Sequence, residues 1–148
     1  MMKLPIVGVM GSGTEPHQAV SAPLGRFLGE RNIHLLTGGG QGVMRCVSEV
    51  FTKARDEDPS RRGLILGILP CKDENDRATP KPGYPNEFVE VPIFTHLPFS
   101  GDRGTDDLSR NHINVLTSNV LIVLPGGAGT ASEAGLALRY RKPVIAFL

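Results

Sequence analysis

The run VLIVLPGGAGTASE, residues 120–133, decides the fold. Val120 to Leu124 are five consecutive valine, leucine and isoleucine residues, the composition of a strand buried on both faces. Pro125 removes the next backbone donor and Gly126-Gly127-Ala128-Gly129 turns the chain, so the strand stops at Leu124. A helix is expected from about residue 130 to 140. A fully apolar strand that runs through a glycine loop into a helix is the building unit of a parallel sheet covered on both faces.

The same unit recurs upstream. Residues 33–37 form an apolar run ending in Gly38-Gly39-Gly40-Gln41-Gly42, after which Val43, Val47, Val50, Phe51 and Ala54 trace one face of a helix. Residues 5–10 form another such run, ending in Gly11-Ser12-Gly13. A helix at 21–31 follows, with Leu24, Phe27 and Leu28 on one face and Pro23 tolerated in the first turn. Further strands are expected at 64–69, 88–93 and 143–148, and a helix at 106–118 from Leu108, Ile113, Val115 and Leu116. Strands alternating with helices, joined by right-handed crossovers, imply an α/β chain. Residues 1–148 are expected to be a single-domain, Rossmann-like open parallel sheet with helices on both faces.

Composition bounds the function. The chain has 148 residues, enough for one domain that buries about 70% of the surface its unfolded form exposes. Sixteen basic and fifteen acidic residues leave a net charge of +1, which supplies no long-range field for nucleic acid or an anionic membrane. Neither is expected as a partner. Cys46 and Cys71 form no disulfide framework and no zinc spacing, and residues 1–10 carry too short an apolar run for a signal peptide. A cytoplasmic protein is the expectation.

In open parallel sheets ligands bind beyond the carboxyl ends of the strands, where loops and helix N-termini meet. The loops at 11–13, 38–42 and 126–129 all fall there, and exposed N–H groups backed by helix dipoles favour a phosphate. The glycines do not match a dinucleotide fingerprint, because no acidic residue ends the following strand to take a ribose. A GxxxxGK[ST] phosphate loop is also missing. His17, His34, His96 and His112 are scattered, so no metal and no cofactor are expected.

GGGQGVM at 38–44 and PGGAGTASE at 125–133 resemble the LONELY GUY (LOG) family, long labelled lysine decarboxylases. Arg110, which stands 133 − 110 = 23 residues before Glu133, matches that family's spacing. The resemblance implies hydrolysis of the N-glycosidic bond of nucleoside 5′-monophosphates, with Arg110 and Glu133 as the catalytic pair. A carboxylate near the ribose would suit an oxocarbenium-like transition state, and Arg110 would hold the departing base. Ligand contacts are implied at Gly11, Ser12 and Gly13, and at Gly38, Gly39, Gly40, Gly42 and Met44. Asn111, Gly126, Gly127, Gly129 and Thr130 complete the set. The family also implies a homodimer or higher homo-oligomer around a phosphorylated, nucleotide-like small molecule.

Decarboxylation does not fit, because Lys3, Lys53, Lys72, Lys81 and Lys142 lie away from the glycine loops and none is placed for a Schiff base. Two departures matter. Residues 71–103 form a long loop insertion, either a lid over the ligand or a mobile surface segment. Arg110-Asn111-His112-Ile113-Asn114 is similar to a neighbouring branch that includes the molybdenum cofactor carrier proteins, which bind and do not hydrolyse. A carrier for a phosphorylated small molecule such as the molybdenum cofactor is therefore the alternative, with Pro125 favouring the hydrolase slightly.

Overall fold

The strand β1 (Ile6–Met10) lies near the middle of a six-stranded sheet, flanked by β2 (His34–Thr37) and β5 (Val120–Val123). The computed structural model describes residues 2–147. Outward from β2 come β3 (Ile65–Leu69) and the edge strand β4 (Val91–Phe94), while β6 (Val144–Ala146) forms the other edge. Every pairing is parallel, in the order β4-β3-β2-β1-β5-β6.

Residue alternation sorts the core to two sides. Val7, Val9, Ile122 and Leu124 pack against α1 (Gln18–Gly29) and α2 (Val43–Arg55) through Leu24, Leu28, Val47 and Phe51. Met10, Leu36, Ile68 and Leu121 face α3 (Asn111–Thr117) and α4 (Ala128–Arg139) through Val115, Leu136 and Ala137. The fold is the Rossmann-like open sheet read from the sequence, with helices on both faces. Strand order reverses between β1 and β5, which opens a crevice at their carboxyl ends. Among the described residues no helix is long and apolar enough to cross a membrane.

The expected boundaries shift where distant contacts override local pattern. The helix read at 106–118 begins only at Asn111. Residues upstream are held otherwise: Phe99 N–H donates to Leu108 O (3.2 Å), and Arg103 Nε donates to Asp106 Oδ2 (2.8 Å). Arg110 therefore stands at the N-cap of α3 and not inside it. The strand read at 88–93 is displaced to 91–94, since Asn86 gathers residues 86–89 into a turn and the ladder opens with Glu90 N–H donating to Ile65 O (3.0 Å). β4 is an exposed edge, with Phe94 62% accessible. The helices read at 21–31 and 130–140 are registered earlier, at 18–29 and 128–139. The last strand, read to residue 148, spans 144–146; Met1 and Leu148 lie outside the described residues.

Residues 71–103 contain β4 and are tied down along their length. Lys81 N–H donates to Pro70 O (3.0 Å), Lys72 N–H to Thr79 O (2.8 Å) and Asn86 N–H to Gly39 O (2.8 Å). Between β3 and β4 the crossover runs without a helix.

Candidate functional site

A cleft of about 260 Å³ opens at the reversal point, lined by the ends of β1 and β2, the first turn of α4 and the start of α3. Three sequence-predicted loops meet there and are bonded to one another. Ser12 N–H donates to Pro125 O (3.1 Å), and Val43 N–H donates to Ser12 O (2.9 Å). The loop after β1 is thus sandwiched between the loops after β2 and β5. Ser12 Oγ accepts from Glu15 N–H (2.9 Å) and Thr14 N–H (3.2 Å), closing that loop on itself.

Not all glycines face the ligand space. Gly11, Gly13, Gly38, Gly127 and Gly129 line the cleft with Ser12, Met44, Asn111, Thr130, Arg110 and Glu133. Gly39, Gly40, Gly42 and Gly126 are not among its lining residues. Their N–H groups and lack of side chains serve packing: Gly39 N–H donates to Thr37 Oγ1 (3.0 Å) and Gly40 N–H to Met44 Sδ (3.3 Å). A Cβ on Gly126 would stand 2.0 Å from Thr130 Oγ1. In the 38–42 loop the Gly39 and Gly40 N–H groups are thus engaged within the protein, while Gly38 lines the cleft.

Further donors belong to α4. Its N-cap, Gly127, makes no side-chain capping bond, so the unpaired N–H groups of its first turn are offered at the cleft. With the positive end of the helix dipole behind them they form an anion site.

The floor is a buried charged cluster. Arg110 is 5% exposed and Glu133 7%. Arg110 Nη1 reaches Glu133 Oε1 at 3.5 Å and also donates to Asn111 Oδ1, while Asn114 Nδ2 donates to the same Glu133 oxygen at 3.1 Å. Both contacts fall on Oε1, so Oε2 has no protein partner among the described residues. Arg110 Nε and Asn114 Oδ1 are buried without any partner. Gly38 makes room for the guanidinium, since a Cβ there would stand 2.5 Å from Arg110 Nη2. Burial pushes the Glu133 carboxyl above its ordinary range, opposed by the Arg110 charge and the Asn114 hydrogen bond.

Sequence reasoning missed Thr14, Tyr84, Ser100 and Gly101, which also line the cleft. Only Ser12-Gly13-Thr14 carried a local signal. Tyr84 and Ser100 arrive from the 71–103 segment, whose path depends on distant pairing.

The geometry defines a Rossmann-like protein with a glycine-loop ligand cleft built around a buried arginine–glutamate pair. The chain belongs to the SLOG cluster4 family, whose model matches residues 4–148. The motif resemblance read from the sequence thus holds at the level of family. The chain is 36% identical to the molybdenum cofactor binding protein of Rippkaea orientalis, with a TM-score of 0.71 over 99% of this chain and 77% of that one. Against the Moco carrier protein of Chlamydomonas reinhardtii the identity is 33% and the TM-score 0.69, over 98% and 76% of the two chains. An uncharacterized protein of Archaeoglobus fulgidus is 32% identical over 145 residues, 97% of this chain and 80% of that protein.

Proposed function

We propose that this protein is a binding and carrier protein for a phosphorylated pterin-type ligand, with the molybdenum cofactor as cargo. The observation that carries this reading is the uncapped first turn of α4, opening on the same cleft as the buried Arg110–Glu133 cluster. The likeness to molybdenum cofactor binding and carrier proteins supports it over most of both chains. Backbone N–H groups of residues 127–130 and the Thr130 hydroxyl would take the phosphate, since donor bonds to an anion are roughly twice as strong as neutral ones. Arg110, which lines the cleft and whose Nε has no partner, suits a ligand that carries acceptors.

Hydrolysis of nucleoside 5′-monophosphates is the second reading, favoured by one observation: Glu133 keeps Oε2 free beside a buried arginine. The two are separated by incubating the protein with AMP, GMP, CMP, UMP and an isopentenyl-AMP and following free base by chromatography. The carrier reading expects no release. Release abolished by Glu133→Ala would replace it with the hydrolase.

Gly127 supplies a sharper check of the phosphate position. Its backbone is extended at φ −96°, and a Cβ there would meet no protein atom within 4 Å. No described residue packs against this point, and the open space leaves room for a ligand. Gly127→Ala is expected to cost at most about 1 kcal/mol of stability, the scale of an N-cap change. Its affinity for a phosphate-bearing ligand is expected to fall about tenfold by calorimetry, consistent with losing one charge-assisted contact. Unchanged affinity would remove the phosphate from this turn.

A further inference from the structure

We propose that Tyr84 is the specificity-determining wall of the cleft and stacks on the planar heteroaromatic ring of the ligand. The proposal rests on the binding reading above and extends it to the other end of the ligand. Tyr84 is the one aromatic side chain among the described residues that line the cleft. Its ring packs directly over the loop after β2: a Cβ on Gly40 would stand 2.6 Å from Tyr84 Cζ and 2.7 Å from Met44 Cε. Gly40 is therefore a position where a side chain would displace both groups. Tyr84 and Met44 stand together in the lining, which otherwise consists of Val9, Met10 and residues offering glycine, hydroxyl, amide or charge. An aromatic ring beside a thioether is a surface for a flat ring and not for a phosphate.

The segment that carries Tyr84 is fixed in advance. Asn86, 2% exposed, donates from its backbone to Gly39 O and from Nδ2 to Gly40 O, both at 2.8 Å, and its Oδ1 accepts from Phe88 N–H at 3.0 Å. Gln41 Nε2 donates to Gly83 O at 2.9 Å, and Tyr84 N–H donates to Lys81 O at 3.1 Å. These bonds attach the crossover to the glycine loop on both sides of Tyr84. A tyrosine kept for packing is buried with its hydroxyl bonded. Tyr84 is only half buried, and its hydroxyl has no protein partner among the described residues. Preorganised, partly open and unbonded at its tip, the ring is presented to the cleft.

The test measures binding of pterin 6-methyl phosphate, AMP and ribose 5-phosphate to wild type, Tyr84→Phe and Tyr84→Ala, with quenching of pterin fluorescence as a direct sign of stacking. Tyr84→Leu, which keeps bulk over Gly40, is run beside Tyr84→Ala, and urea unfolding checks each variant. Removing the ring is expected to weaken both ring-bearing probes about tenfold or more, the scale of one aromatic stack, and to abolish quenching. Ribose 5-phosphate should change less than about twofold, and Tyr84→Phe should stay within about threefold of wild type on all probes. Equal losses on all three probes, or none, would overturn the assignment. If wild type binds AMP with this Tyr84 pattern but not the pterin probe, the stacking role stands and the pterin reading falls. If the pterin phosphate binds wild type and Tyr84→Ala alike, the reverse holds. Binding of no probe by wild type overturns both.

Discussion

Glu133→Ala is expected to lower the unfolding free energy by about 3 kcal/mol near pH 5, the scale for breaking a buried pair from one side, and by less as the pH rises. The cost arises because the Arg110 guanidinium, 5% exposed and bonded to Asn111 Oδ1, is left without the Glu133 carboxyl. Arg110→Ala should behave differently, because a carboxyl can neutralise itself. Glu133 already binds its proton more tightly folded than unfolded, so its contribution is fully present below the ordinary value of 4.5 and declines as pH rises through the folded value. Without Arg110 the carboxyl moves further up, and the destabilisation of Arg110→Ala should be small near about pH 5 and grow towards pH 8. Urea midpoints of both variants across that range check the asymmetry. Equal pH dependence in the two would mean that the pair is not the electrostatic unit its burial implies.

Gly42→Ala is expected to combine backbone strain with a steric clash and to disrupt the site through a single methyl. Gly42 has φ +60° and ψ −127°, a conformation closed to residues with a Cβ, so backbone strain alone should cost on the order of 1–3 kcal/mol. The added Cβ would also stand 2.4 Å from Ser12 O and 2.8 Å from Gly13 C and Thr14 N. Those are backbone atoms of the loop after β1 and cannot swing aside like a side-chain tip. The 12–14 loop must therefore move, taking Ser12 and Gly13 out of the cleft wall. Loss of at least about 3 kcal/mol together with loss of ligand binding is expected, read by unfolding midpoint and calorimetry. A variant with wild-type affinity would show that the interlocked loops do not set the site.

The parts of this structure legible in the sequence are those determined locally. Val120 to Val123 and Leu35 to Thr37 are strands because apolar runs stop at or just before proline or glycine. The Arg110–Glu133 pairing was readable only through its 23-residue spacing within family-like motifs, since α3 and α4 meet through tertiary packing. The start of α3 was not readable, because the bond from Phe99 to Leu108 and the Arg103–Asp106 pair oppose a helix that apolar spacing alone favours. At 38–42 glycine count could not tell donors from packing, since Thr37 and Met44 take the Gly39 and Gly40 N–H groups that an isolated loop would offer a ligand. Tyr84 was invisible for the same reason: nothing near residue 84 announces that Asn86 will anchor it to Gly39 and Gly40.

Recovery of the molybdenum cofactor from the purified protein tests the central claim most directly. Wild type is mixed with the cofactor and separated by gel filtration, and the pterin in the protein peak is quantified after oxidation. The cofactor is expected to co-elute with wild type and to be displaced by excess pterin phosphate, while Gly42→Ala retains none. An empty protein peak from folded wild type, beside release of free base from a nucleoside monophosphate, would contradict the carrier account and assign the cleft to hydrolysis.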